Sequence, residues 1–102
     1  MTKVVIVEFD TEYEFNVGTE LIVKLFQKEA ENKIYLGSFD IKFNRNERLK
    51  QIAYSVLNAI DKHNEIYLGC LSKDTLLIEG ILIAKGCCVN KISYIEFWNS
   101  LL

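Results

Sequence analysis

The pattern that most constrains this chain is a strict two-residue alternation near its start. Val5, Val7, Phe9, Tyr13, Phe15 and Val17 fall on odd positions, and Glu8, Asp10, Glu12 and Glu14 on even ones. Successive side chains of a strand point to opposite faces, so such a run offers one face to a core and the other to water. It predicts either one long strand over 3–17 or two strands joined by a three-residue turn at Asp10-Thr11-Glu12. The turn would set Phe9 beside Tyr13 and Val7 beside Phe15, which keeps the apolar set together as register demands.

The rest of the chain extends that expectation. Residues 20–43 read as a hairpin with arms over 20–27 and 33–43, and its rival is an amphipathic helix over 19–31, favoured by the Lys-Glu-Ala-Glu run. Residues 46–63 read as a helix, because Leu49, Ile52, Ala53, Val56, Leu57 and Ile60 form one apolar face at a 3.6-residue period. Asn44 and Glu47 have capping-box spacing there, and Lys62 and His63 suit a helix C-terminus. Residues 66–71 and 75–85 read as a second hairpin around Ser72-Lys73-Asp74. Its second arm is apolar on both faces, with Leu76, Ile78 and Leu82 against Leu77, Ile81 and Ile83, so something must cover the second face. Residues 91–102 predict a short helix capped by Asn90, with Tyr94, Phe97 or Trp98, and Leu101 at helical spacing, and its rival is a strand, because Ile, Tyr, Phe and Trp also form strands. The expected fold class is α+β. An antiparallel β-sheet is built from hairpins, one long amphipathic helix (about 46–63) packs on it, and a short C-terminal helix follows, all in a single domain over 1–102.

Composition narrows the function classes. Half of the 102 residues are apolar and a quarter charged, the make-up of a folded chain and not of a disordered one. No segment approaches the ~20 apolar residues of a membrane span. The N-terminus lacks the apolar core and cleavage site of a secretory signal, so the chain is expected in the cytoplasm of its host cell. Three cysteines, two of them the adjacent Cys87 and Cys88, do not make a disulfide framework. Cys70, Cys87, Cys88 and His63 lack zinc-ligand spacing, and no metal is expected.

The search for chemistry returns little. Gly18, Gly37, Gly69, Gly80 and Gly86 are scattered and form no phosphate-binding loop, so no cofactor is expected. His63 has no flanking signature that would make it the base for Cys87 or Cys88. Glu79, the one acid inside an apolar run, is expected to face out or meet a lysine. Lys42, Arg45, Arg48 and Lys50 gather near a helix start, where an anion can be held, but they read first as a solvated helix entry. No catalytic residue is predicted, and the chain is expected not to be an enzyme.

Charge is the more specific signal. Residues 1–31 hold seven acidic and three basic groups, whereas 32–62 hold three acidic and six basic ones. The mild overall acidity disfavours direct nucleic-acid binding. Glu8, Asp10, Glu12 and Glu14 form the candidate partner-binding strip on a strand face, with Tyr13 as an aromatic anchor beside it. A row of like charges is also what a solvated strand uses against edge-to-edge aggregation. Read functionally, it docks on a basic protein surface and competes with phosphates for it. The expected function is thus a small non-enzymatic protein-binding module, an inhibitor or adaptor. Size and an Ile-, Lys- and Asn-rich composition are compatible with a small phage or mobile-element protein that blocks a host nucleic-acid-handling complex. One alternative is a self-associating subunit, a homodimer whose interface uses Leu77, Ile81, Ile83 and Trp98. Another is a small ligand-binding domain or a cysteine-dependent enzyme.

Overall fold

A computed structural model describes residues 2–26, 33–39 and 45–101. The alternation at the start is a strand only as far as Phe9: β1 spans Lys3–Phe9, and Val4 through Val7 are buried on both faces. The chain then turns into a helix, α1, Glu12–Phe26. The switch is made by a capping exchange. The Glu14 N–H donates to the Thr11 hydroxyl oxygen (3.1 Å), and the Asp10 N–H donates to Glu14 Oε1 (3.1 Å). Glu12 and Glu14 in the first turn and Lys24 in the last match the helix dipole.

Strands and helices alternate from there: β2 Lys33–Phe39, α2 Arg45–Ala59, β3 Glu65–Leu71, a 3₁₀ turn Ser72–Asp74, α3 Thr75–Ala84, β4 Cys88–Ser93 and α4 Tyr94–Leu101. The end of α3 is a Schellman motif: Gly86 takes φ +84°, its N–H donates to the Ile83 carbonyl, and the Cys87 N–H donates to the Leu82 carbonyl. At the start of α4, Ser93 Oγ accepts the Glu96 N–H at 3.0 Å.

The four strands form one sheet in the order β2-β3-β1-β4, and every neighbouring pair is parallel. Lys3 is level with Glu65 on one side and Cys88 on the other, and Lys33 is level with Glu65. From β1 to β2 the chain crosses the sheet one way over α1. From β2 to β3 and from β3 to β4 it crosses the other way over α2 and α3, which lie on the opposite face. Reversing direction and face together keeps a single crossover hand, as parallel strands require.

The two faces differ in chemistry. Under α2 and α3 the core is aliphatic, built from Val4, Ile6, Ile52, Val56, Ile66, Leu68, Ile78 and Leu82. Under α1 and α4 it is aromatic. Phe15, Phe9, Tyr94, Trp98, Phe97, Tyr67, Phe26 and Tyr35 form one chain of ring contacts, with neighbouring centroids 5.2–6.1 Å apart. Such pairs add about 0.5–1.5 kcal/mol each beyond area burial.

This architecture overturns the expected one. The sheet is wholly parallel, not antiparallel, and is built from helical crossovers in place of hairpins. Neither expected hairpin forms: 20–26 belongs to α1 and 75–84 to α3. Among the described residues four helices stand where one long and one short helix are expected, and the helix expected over 46–63 ends at Ala59. Asn90 lies inside β4, and Ser93 caps the last helix in its place. The expected hairpin loop Lys28–Asn32, together with Lys42 and the Asn44 cap, lies outside the described residues.

Candidate functional site

β1 and β3 are neighbours, yet the helices that follow them leave to opposite faces of the sheet. In sheets of this kind the crevice at the carboxyl ends of such a pair is where ligands bind. Here side-chain contacts bridge it on each face. On the aromatic face the Phe9 ring sits directly beneath Gly18. A Cβ added at Gly18 would fall inside contact distance of that ring and lie 2.9 Å from Tyr94 Cε2. On the aliphatic face the Thr75 hydroxyl lies 3.0 Å from Glu8 Oε2 and 2.9 Å from the Ser72 carbonyl oxygen, joining the end of β1 to the start of α3.

The four acids expected to line a strand face are therefore dispersed. Glu8 ends β1 and is half-buried against Thr75, close to the N-terminus of α3, where the dipole favours a carboxylate. Glu14 is taken up by the cap of α1. Asp10 and Glu12 remain exposed, and between Glu12 and Glu14 stands Tyr13, 77% exposed. Tyr13 begins an i+4 row on the solvent side of α1 that continues through Val17, Leu21 and Leu25, each about two-fifths exposed. Sequence reasoning singled out Tyr13 but not the row, because Val17 and Leu21 had been allotted to strands.

The candidate interface residues are also divided. Leu77 and Ile83 lie on the outer surface of α3, and Ile81 is half-buried in the groove between α2 and α3 beside Ala53 and Lys85. Trp98 lies across the sheet, against Tyr94 and Phe97. The solvent-facing arc of α3 is Leu76, Leu77, Gly80, Ile83 and Ala84, with no charge or polar group in it. Leu76 is 70% and Ile83 56% exposed. A helix apolar all round is normally buried. Glu79 flanks this arc and pairs with Lys91 (3.6 Å).

Cys70 and Cys87 are not poised for nucleophilic work. Burial, then the charges of Asp74 and Glu8, push the Cys70 thiol up to about 12. Burial also pushes the Cys87 thiol up, against the pull of Lys85. A reactive thiol needs the opposite shift. His63 precedes β3 and Cys87 precedes β4. With β1 between those strands, their starts are about 10 Å apart, too far for a hydrogen-bonded pair. Among the described residues no three His, Cys, Asp or Glu side chains gather as metal ligands, and no helix is long and apolar enough to cross a membrane.

The amino edge of the sheet holds what sequence reasoning missed. A cavity of about 410 Å3 opens there, lined by residues of all four strands and by Glu96 and Ser100 of α4. Glu65 Oε2 accepts from Lys33 Nζ (3.0 Å) and from the Tyr67 hydroxyl (3.1 Å). Burial pushes the Glu65 carboxyl up, but the Lys33 and Tyr67 hydrogen bonds and the charges of Lys33 and Lys3 outweigh it and hold it below the usual range. Burial and the Glu65 charge raise Tyr67 to about 12. Comparison with protein-family models, curated proteins and solved structures found no match.

Proposed function

We propose that this chain is a small non-enzymatic protein-binding module, of the inhibitor or adaptor kind, that docks through α1. The observation carrying this reading is the row Tyr13, Val17, Leu21 and Leu25 on the solvent side of α1, with Asp10 and Glu12 at its head. An amphipathic helix laid into a partner's groove uses anchors at such spacing. A large exposed aromatic ring ringed by charge has the composition of an interface centre and its rim. The acidic head suits a basic partner surface, of the type that nucleic-acid-handling proteins carry.

The test is affinity capture from the native host with wild type, Tyr13→Ala, and the pair Asp10→Ser with Glu12→Ser. The expected partner loses about tenfold or more in affinity with Tyr13→Ala. It binds more weakly in high salt, and less so once the acids are gone. A partner held equally by all three proteins refutes the reading.

The outer arc of α3 favours a second reading, self-association. In an antiparallel pair of α3 helices crossing at Gly80, Leu76 of one copy faces Ala84 of the other, and Leu77 faces Ile83. The close approach at Gly80 and the all-apolar pairing suit a two-fold contact. Sedimentation at two concentrations, with Leu76→Lys as the control, distinguishes this from a monomer.

A further inference from the structure

The cavity at the amino edge belongs to neither docking surface, and it has the marks of a small-molecule site: concave, of suitable volume, apolar at its floor, with a few converging polar groups. Val5, Tyr67 and Ile92 form the floor. Around it stand two positive groups, Lys3 and Lys33, and two negative ones, Glu65 and Glu96. Lys33 is committed to Glu65, whose Oε2 accepts from Lys33 Nζ and from the Tyr67 hydroxyl. Lys3 and Glu96 line the same cavity, and among the described residues neither is in an ion pair within 4 Å. Asn90 and Ser100 add neutral hydrogen-bonding groups at the rim.

We infer that this cavity binds a small zwitterion, a free amino acid with an apolar side chain. Its carboxylate meets Lys3, its ammonium meets Glu96 and the Glu65 carboxylate, and its side chain lies over Val5, Tyr67 and Ile92. Charge decides the class. The four charged groups sum to zero, so a simple anion would face two carboxylates and a simple cation two ammonium groups. Only a ligand bearing both signs completes Lys3 and Glu96 together. The Lys33–Glu65–Tyr67 group is already in place and needs no rearrangement to receive it.

The experiment is an NMR titration of the full chain with phenylalanine and with leucine, each beside its N-acetyl and its amide form. The expected result is saturable shifts at Lys3, Val5, Tyr67 and Ile92 with at least one free amino acid, and roughly tenfold weaker binding when either charge is blocked. Lys3→Gln and Glu96→Gln are expected to lose about as much while keeping the wild-type unfolding midpoint. The inference is overturned by any of three results: neither amino acid gives saturable shifts, a blocked form binds as well as the free one, or both variants bind like wild type.

Discussion

One substitution made at two glycines is expected to act in opposite directions. Gly18 and Gly80 are both inside helices, where alanine is favoured over glycine by about 1 kcal/mol. At Gly80 an added Cβ meets nothing within 4 Å, so Gly80→Ala keeps that gain, roughly 0.5–1 kcal/mol. At Gly18 the methyl collides with the Phe9 ring and crowds Tyr94. Phe9 is fully buried and held between Phe15 at 5.8 Å and Tyr94 at 5.2 Å, so it has nowhere to retreat. Overpacking of this kind costs about 1–3 kcal/mol. Set against the helix gain, Gly18→Ala is expected to lose up to roughly 2 kcal/mol. Both variants carry the same helix gain, so they should differ by the overpacking cost, about 1–3 kcal/mol, which for a chain this size is roughly 4–24 °C in melting temperature. Urea titration followed by far-ultraviolet circular dichroism and by Trp98 fluorescence measures both. Trp98 touches Tyr94 and so reports on the same ring chain. Protein concentration is held fixed and low so that association does not enter. The packing argument fails if Gly18→Ala is as stable as wild type, or if Gly80→Ala is less stable.

Two further outcomes follow from named groups. Thiol labelling of the native protein should modify Cys88, which is exposed, well before Cys87 and Cys70, which are buried with raised thiols; equal rates at all three would contradict the burial. The Glu65 carboxyl is lowered in the fold, so its contribution is full above the ordinary 4.5 and is lost as pH falls through the lowered value. Tyr67 is raised from 10 to about 12, so its contribution is full below 10 and is lost as pH climbs toward 12. Urea midpoints against pH should accordingly fall less steeply at both ends in Tyr67→Phe than in wild type, and parallel curves would remove the Glu65–Tyr67 hydrogen bond from the account.

The strands themselves were legible where β-branched residues run together, as in Val4 to Val7 and in Ile66 to Leu71. Topology was not, and the loss traces to two segments. Residues 12–17 alternate by chance: Phe15 enters the core while Tyr13 and Val17 face solvent. The deciding signal was Thr11-x-x-Glu14, a capping box outweighed by the period. Six of the ten residues 75–84 are Leu or Ile, and periodicity cannot separate strand from helix in such a run. Gly86, the left-handed residue just past the helix end, was the available cue. Once both segments are helices, the strands are joined by long crossovers and must be parallel. The exposed Tyr13 and the apolar Leu77 and Ile83 were within reach of the sequence. The cavity was not, because Lys3, Lys33 and Glu65 come from three strands and meet only through a parallel register.

The placement of β1 inside the sheet bears on how the protein is made. This strand leaves the ribosome before either of its neighbours, yet it pairs with β3 and β4 and not with β2. Roughly 60 more residues must be synthesised before β3 emerges, an interval of about 3–12 s at ~5–20 residues per second. During that time Lys3–Phe9 is a nascent apolar segment with both edges open, the form most prone to pair with a stranger. A truncated chain ending before β3 leaves those seven residues without either neighbour of the finished sheet.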